Sequence, residues 1–155
     1  MQIQFLDFQP HGDDRGQLIA LEEGKEIPFP IRRVYYVYAT APEAVRGRHA
    51  HRSLRQVLVC VHGSCRIRLD DGRERCEVLL DSPWRGLEID GLLWREMDHF
   101  SPDAVLMVLA SDLYDESDYI RDYQAFRALA DEMWKEKARK EKMSGEKAPG
   151  EEARP

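Results

Sequence analysis

The sequence of 155 residues lacks features that would place it in several other classes of protein. No run approaches the ~18 consecutive apolar residues of a membrane-spanning helix. The N-terminal stretch MQIQFLDFQPHGDDRG alternates apolar and polar residues, unlike the apolar segment of a signal peptide. Lys and Arg (23) are outnumbered by Asp and Glu (29), so the formal net charge of −6 provides no overall attraction for nucleic acid or anionic membranes. These absences predict a cytoplasmic protein that binds neither nucleic acid nor membranes.

Cysteine is also scarce. The sequence has three cysteines, Cys60, Cys65 and Cys76, all within strand-like apolar runs and without CxxC spacing. An odd number in this arrangement indicates neither a disulfide framework nor a zinc site. We expect buried free thiols in a reducing compartment.

Short apolar runs separated by turn residues dominate the first 110 residues, which predicts an all-β fold. The strand candidates are residues 17–21, 32–38, 56–61, 65–69, 74–80, 87–89 and 104–109. Asp70-Asp71-Gly72 predicts a tight hairpin, and residues 61–64 predict a second turn between antiparallel neighbours. Many short strands at this spacing predict a sandwich or a barrel, and we expect a small jelly-roll barrel with a central pocket.

The last third of the chain changes to helical spacing. Residues 115–118 (DESD) are suited to cap a helix, and apolar residues recur at helical intervals from Tyr119 to Trp134. From Lys135 onward the composition is too polar to bury the apolar surface that would offset the entropy of ordering. We therefore predict one domain with a C-terminal α-helix over residues 1–134, and a charged, disordered tail without catalytic duty over residues 135–155.

The most informative motif is a pair of histidines in the sequence GRHAH, which begins at Gly47. Alternate side chains of an extended segment share one face, so His49 and His51 are expected to point together. The stretch resembles the first cupin motif, but Gln56 occupies the position of its acidic metal ligand. Arg95 stands where the second cupin motif supplies another histidine. Because two imidazoles beside a guanidinium suit a divalent cation poorly, we predict a cupin pocket without a metal or other cofactor.

Further segments extend this similarity, and the chain resembles the dTDP-sugar 3,4-ketoisomerase family over roughly residues 3–130. The segments that carry the resemblance include residues 14–16, 33–36, 48–51, 56–60, 63–66, 80–83, 86–87, 94–97, 107–112, 114–116 and 118–121. The resemblance implies a homodimeric cupin jelly-roll barrel that acts on a dTDP-linked 4-keto-6-deoxy sugar, dTDP-4-keto-6-deoxy-D-glucose. It also implies a 3-keto product that is transaminated later, for the dideoxy-aminosugars of surface glycans such as the O-antigen of lipopolysaccharide.

The implied reaction suits paired histidines. Moving a carbonyl from C4 to C3 requires removal of the C3 proton, formation of an enediol and reprotonation at C4, and histidine exchanges protons near neutral pH. We assign His49 as the leading carbon base. His51 either relays the hydroxyl proton between O3 and O4 or positions the sugar, and the residues alone leave the two roles interchangeable. Tyr36 completes the predicted catalytic set as a stabiliser of the anionic enediolate, together with Arg33 and Arg95.

The remaining candidates are expected to bind the substrate. The Asp-Arg-Gly element around Arg15 resembles one in related sugar-nucleotide cupins, which makes Arg15 the first candidate for the diphosphate and Arg48 the second. The predicted substrate-binding set is Arg15, Gln17, Arg33, Arg48, Trp94 and Arg95. Strand packing is the alternative for Tyr36, and ion pairing is the alternative for Arg15 and Arg33. For Trp94, the alternative is that it fills the mouth of the barrel without contacting the ligand.

Two other functions fit the same residues. A dTDP-sugar 3,5-epimerase would also remove a proton beside a ketone, but it would preserve the position of the carbonyl. A non-catalytic sugar-binding cupin would hold the ligand without exchanging its protons.

Overall fold

The structure is a computed structural model that describes residue 1 and residues 3–145. It contains two five-stranded antiparallel sheets, a separate two-stranded hairpin and one C-terminal helix. The strands are β1 (Gln4–Asp7), β2 (His11–Asp13), β3 (Gly16–Leu18), β4 (Arg33–Tyr38), β5 (Arg46–His51), β6 (Gln56–His62), β7 (Cys65–Asp70), β8 (Arg75–Leu80), β9 (Arg85–Ile89), β10 (Trp94–Asp98), β11 (Val105–Ala110) and β12 (Tyr119–Ile120), and the helix is α1 (Tyr123–Gly145).

The two large sheets pack face to face around the main core. The first sheet has the strand order β1-β9-β6-β11-β4, and the second has the order β12-β5-β10-β7-β8. Alternate residues of each strand point between the sheets, as the pleat requires. The most deeply buried of them are Cys60, Cys65, Ile67, Leu87, Ile89 and Leu106. This jelly-roll-like sandwich with a C-terminal helix confirms the predicted all-β fold.

Of the two predicted hairpin turns, one is confirmed by the structure and one is not. The turn at Asp70-Asp71-Gly72 joins the antiparallel pair β7 and β8, as predicted, and Asp70 Oδ1 accepts a hydrogen bond from the Gly72 amide at 2.7 Å. The turn over residues 61–64 instead carries the chain from β6 in the first sheet to β7 in the second. The prediction that it joins antiparallel neighbours is therefore wrong. Gly63 has a φ of 67° there, and a Cβ atom at this position would lie 2.3 Å from Ser101 Oγ.

Helix α1 begins later and ends later than the sequence predicts. Asp115 caps a short 3₁₀ turn over Glu116–Asp118, and Asp122 caps α1 by accepting a hydrogen bond from the Ala125 amide at 2.7 Å. The helix continues past residue 134, so residues 135–145 of the predicted tail are helical, and residues 146–155 lie outside the described residues. Across the described ranges, no helix is long and apolar enough to cross a membrane.

Helix α1 covers the outer face of the second sheet. Phe126 and Ala130 are fully buried against Ala50 of β5 and Trp94 of β10. Because Ala50 points toward the helix, its neighbours on either side in β5 must point toward the interior between the sheets. The packing of α1 therefore determines which face of β5 is available to a site inside the sandwich.

Candidate active site

The histidines of β5 lie side by side on the inner face of the second sheet. The ring centroids of His49 and His51 are 4.9 Å apart, and the rings meet edge to face at 84°. His51 is only 1% exposed, and His49 is half-buried. The common orientation that strand alternation predicts is thus present in the fold.

A β-bulge sets the position of these histidines. His49 is opposite Arg95 of β10, whereas Gly47 is opposite the next residue, Glu96, so Arg48 is the extra residue of the bulge. Gly47 and Arg48 have φ values of 83° and 54°. A Cβ atom at Gly47 would lie 2.7 Å from the Arg95 carbonyl oxygen, which favours glycine at this position. The Arg48 side chain is exposed.

Arg95 places a buried positive charge beside the histidines. It is 1% exposed, and within the described part of the chain none of its three guanidinium nitrogens has a hydrogen-bond partner. Burial lowers the pKa of Arg95 to about 10, so the guanidinium remains charged at neutral pH. A buried charge without partners is costly, and native structures retain such groups where they have a function. The guanidinium is therefore suited to bind an anionic group of a ligand.

Asp118 contacts the inner histidine from a distant part of the chain. Its Oδ2 lies 2.9 Å from His51 Nδ1, and its Oδ1 accepts hydrogen bonds from the amide and the hydroxyl of Ser53, each at 3.0 Å. The opposite ring nitrogen of His51, Nε2, is buried and has no partner among the residues that the structure describes. One side of the ring is therefore fixed by Asp118, and the nitrogen on the other side has a hydrogen-bonding capacity that no described protein group satisfies.

The electrostatics of the site keep both imidazoles neutral. Burial, followed by the positive charge of Arg95, lowers the pKa of His49 to about 4. The same two causes, with a smaller contribution from His49, lower the pKa of His51 to about 3, although Asp118 opposes this shift. Both rings therefore have an unprotonated nitrogen at pH 7, which a general base requires.

The aromatic side chain of Tyr119 packs against both histidines. The ring centroid of Tyr119 lies 4.2 Å from that of His51 and 4.9 Å from that of His49. Arg121 stacks on Tyr119 at 4.4 Å and forms an ion pair with Glu116 at 2.7 Å. Neither Asp118 nor Tyr119 is predicted as a site residue from the sequence, because the local pattern places Tyr119 in a helix and Asp118 in its cap.

A cavity of about 220 Å³ opens beside His51 and is lined by Arg33, Asp118 and Tyr119 as well. The Arg33 guanidinium lies over the ring of Tyr35 at 5.4 Å, and its Nε and Nη2 atoms are buried without partners in the described ranges. The structure thus brings Arg33 to the histidine site.

A larger cavity, about 530 Å³, lies on the outer face of the second sheet and contains neither histidine. Charged side chains that line it already pair with each other, as in Arg68 with Glu96 at 2.9 Å and Arg75 with Asp70 at 2.8 Å. The unpartnered groups therefore favour the smaller cavity as the site.

Two predicted site residues point away from the histidines. Tyr36 is 64% exposed on the outer face of β4, and its neighbour Tyr35 points inward, where its hydroxyl is 2.9 Å from Gln56 Nε2. Trp94 lies on the outer face of β10, where its ring packs against Phe126 under helix α1. Strand alternation explains both corrections, because Trp94 and Arg95 are adjacent and must occupy opposite faces. The exposed Arg48 is likewise not brought to the cavity.

Two further candidates lie on the β2–β3 hairpin. Arg15 is 86% exposed at the side chain and forms an ion pair with Asp13, which is the structural alternative considered for it. Gln17 is exposed on β3. Neither residue lines the histidine cavity within the single chain.

The donor set around the histidines fits a metal ion poorly. Residue 1 and residues 3–145 contain no group of three or more His, Cys, Asp or Glu side chains that could hold an ion. At the site itself, the Gln56 amide is hydrogen-bonded to Tyr35, and the Arg95 charge would repel a cation. Metal independence therefore stays a prediction that these contacts support.

Comparison with known proteins gives consistent matches. A sequence family described as FdtA: WxcM-like, C-terminal matches residues 1–131. The TDP-4-oxo-6-deoxy-alpha-D-glucose-3,4-oxoisomerase of Aneurinibacillus thermoaerophilus is 54% identical to this chain over 127 residues, which cover 82% of this chain and 91% of that protein.

Two solved structures extend the similarity to three dimensions. A 3,4-ketoisomerase from Helicobacter canadensis has a TM-score of 0.82 and 50% identity, covering 84% of this chain and 98% of its own. A histidine-to-asparagine variant of the 3,4-ketoisomerase from Thermoanaerobacterium thermosaccharolyticum was solved in complex with TDP-4-keto-6-deoxyglucose. It has a TM-score of 0.82 and 41% identity, covering 84% of this chain and 94% of its own. The family match over residues 1–131 includes both sheets and the first turns of α1.

Proposed function

This chain belongs to the FdtA (WxcM-like, C-terminal) family and is a sugar-nucleotide 3,4-ketoisomerase, and we propose that its substrate is dTDP-4-keto-6-deoxy-D-glucose. The substrate in the name of the Aneurinibacillus relative and the ligand of the Thermoanaerobacterium structure support this choice. The proposed product is a dTDP-3-keto-6-deoxyhexose, made in the cytoplasm for amino-sugar biosynthesis toward surface glycans. The 3,5-epimerase and the non-catalytic cupin remain as outcomes that an experiment must exclude.

One observation supports the proposed mechanism above all others. Two neutral imidazoles lie with their ring centroids 4.9 Å apart, next to a fully buried guanidinium whose nitrogens have no partner among the described residues. The imidazoles supply proton acceptors at pH 7, and the guanidinium supplies a fixed positive charge where an enediolate would form. No oxidant or reductant is needed, because the reaction only moves two hydrogens within the sugar.

The proposed isomerisation moves one carbon-bound proton from C3 to C4 and one hydroxyl proton from O3 to O4. His49 accepts the C3 proton, the C3–H electron pair forms the C3=C4 double bond, and the C4 carbonyl oxygen becomes an enediolate oxygen. His51 accepts the O3 proton and donates it to O4. Collapse of O3 to a carbonyl then returns the electron pair to C4, which takes the proton from His49. Arg95 and Arg33 stabilise the anionic intermediate, because their unpartnered nitrogens are available as donors.

We also propose a homodimer. All six strand residues of the β2–β3 hairpin are exposed, and Leu18 among them is 62% exposed. The edge strand β4 presents Val34, Tyr36 and Tyr38 to solvent as a continuous apolar row. Exposed apolar rows on an edge strand favour association with another chain. Substrate contacts of Arg15 and Gln17, which lie on this hairpin, are proposed only for the assembled dimer.

Incubation with dTDP-4-keto-6-deoxy-D-glucose in deuterated buffer, followed by NMR of the product, tests the proposed function. The expected result is a carbonyl carbon at C3 and a new carbinol at C4, whose configuration the spectrum also assigns. A product with the carbonyl still at C4 and altered configuration at C3 or C5 would identify an epimerase. Tight binding without deuterium incorporation or a new product would identify a binding protein.

The mass of the active protein at micromolar concentration tests the dimer separately. Light scattering should give twice the mass of the 18.0 kDa chain. A monomer with full activity would contradict the assembly without affecting the assignment of the reaction.

A further inference from the structure

The geometry around His51 assigns a role to a carboxylate that the mechanism above does not use. We infer that Asp118 is a positioning residue, which holds the His51 ring with Nδ1 protonated and leaves Nε2 as the open proton acceptor of the site. Its consequence for turnover rests on the proposed function, whereas the protonation pattern of the ring does not. Asp118 lies 67 residues from His51 in sequence, so their contact is a product of the tertiary fold.

The hydrogen-bonding chemistry leaves a single arrangement of the neutral ring. An ionised carboxylate only accepts hydrogen bonds, so the 2.9 Å contact between Asp118 Oδ2 and His51 Nδ1 requires the proton to be on Nδ1. A neutral imidazole has one such proton, which leaves a lone pair on Nε2. Although burial raises the pKa of Asp118, hydrogen bonds from Ser53 and then His51 keep it below the ordinary value, so the carboxylate is ionised at pH 7.

The segment that carries Asp118 is itself fixed against β5. The Arg52 amide donates a hydrogen bond to the Asp118 carbonyl oxygen at 3.1 Å, and the side chain accepts two more from Ser53. Strand β12 then pairs Tyr119 with His51. The carboxylate is therefore held by backbone and side-chain contacts on both sides, as a residue that orients a reacting group should be.

The fixed ring suits the relay step. Nε2 is buried and has no partner in the described part of the protein, and His51 and Arg33 line the same cavity. The O3 proton moves to Nε2, producing an imidazolium whose charge is balanced by the Asp118 carboxylate, and the same proton then moves from Nε2 to O4. With the opposite tautomer, Nε2 would be a donor at the start and could not accept the O3 proton.

Asp118→Asn tests this inference because it preserves shape and reverses the hydrogen bond. The asparagine amide would donate to His51 Nδ1 and move the ring proton to Nε2. In the serine-protease triad the equivalent change lowers kcat about 10⁴-fold, and we expect a loss of at least about 10²-fold here. The KM and the affinity for TDP should change less than about 3-fold, since Asp118 acts through His51. Asp122→Asn, which alters the cap of α1 at a position outside the cavity, is the matched control and should retain wild-type kcat.

A spectroscopic measurement in the substrate-free enzyme makes the test independent of activity. In protein labelled with ¹⁵N-histidine, with the His51 signals assigned by their loss in His51→Asn, the wild type should show a proton on Nδ1, and Asp118→Asn should show it on Nε2. A wild-type ring protonated on Nε2 overturns the inference, and this result does not require Asp118→Asn to fold. An unchanged ring in Asp118→Asn, or a changed ring with full kcat, also overturns it.

Two further results complete the test. Ser53→Ala removes one of the hydrogen bonds to Oδ1 and keeps the carboxylate, so we expect a smaller loss of kcat than in Asp118→Asn and a ring still protonated on Nδ1. A larger loss of kcat in Ser53→Ala than in Asp118→Asn would contradict the inference that the Asp118 carboxylate orients the His51 ring and that Ser53 only supports that carboxylate. If the wild type fails to convert the sugar nucleotide, the proposed function is wrong, and the ¹⁵N measurement still decides the role of Asp118.

Discussion

Lowering the pH from 7 to 5 should destabilise the folded protein through His49 and His51. Their pKa values are about 4 and about 3 in the fold, compared with 6.5 in the unfolded chain. Between pH 6.5 and pH 4 the unfolded state therefore binds protons that the folded state does not bind. Stability falls as pH decreases wherever the unfolded state binds more protons, so the stabilising contribution is complete above pH 6.5 and is lost below it.

The size of the effect follows from the two unfolded-state values. Each proton that only the unfolded state binds lowers the free energy of unfolding by about 1.4 kcal/mol per pH unit. From the unfolded pKa down to pH 5, this amounts to about 2 kcal/mol for each histidine and about 4 kcal/mol for both. Since both folded values lie below 5, the result at pH 5 does not depend on how far below they lie.

Urea denaturation at pH 7, 6 and 5 measures this loss directly. The wild type is compared with the double variant His49→Asn/His51→Asn, in which neither position titrates. Carboxylates titrate at lower pH in both proteins, so the difference between the two pH profiles isolates the histidines. A wild-type profile parallel to that of the double variant would refute the burial of two neutral histidines beside a cation.

Three other outcomes are expected. His49→Asn should lower kcat at least about 10²-fold and abolish exchange of the C3 proton, with TDP affinity intact, whereas His51→Asn should lower kcat and retain that exchange, because His51 acts on the hydroxyl proton. Stringent chelation should leave kcat unchanged because Arg95 repels a cation from the histidines, and loss of activity restored by one equivalent of metal would contradict this. Gly72→Ala should lower the free energy of unfolding by about 1–3 kcal/mol in a denaturant titration, because the new Cβ would lie 2.6 Å from Ala130 Cβ at a φ of 89°. A variant as stable as the wild type would show that α1 moves aside freely.

Strand alternation correctly predicts one part of the site and explains why another predicted part is wrong. It correctly predicts that His49 and His51 share a face, because Ala50 between them points toward helix α1. The same rule forbids Trp94 and Arg95 from facing one cavity, although both were predicted to bind substrate. Local patterns define two faces of a strand, but the packing of the sheets decides which face is the interior.

Tyr36 and Asp118 illustrate two kinds of information that the sequence does not contain locally. Tyr35 and Tyr36 are identical in type and adjacent, so nothing in β4 alone indicates that Tyr35 is the inward residue. Asp118 reaches His51 only because β12 pairs with β5, and the apolar spacing after residue 118 is compatible with a helix. Long-range strand pairing overrides such local preferences.

Because of the bulge at Gly47 and Arg48, activity depends on the number of residues at the start of β5 as well as on their type. Deleting Arg48 would remove the extra residue that separates the pairing of Arg46 and Gly47 from that of His49. Either the start of β5 would slip along β10, or both histidines would move one position and turn toward helix α1. The insertion or deletion of a single residue at this point should therefore abolish activity, because it displaces both histidines together. Any sequence designed onto this backbone must keep the spacing between Gly47 and the histidines before it can vary their neighbours.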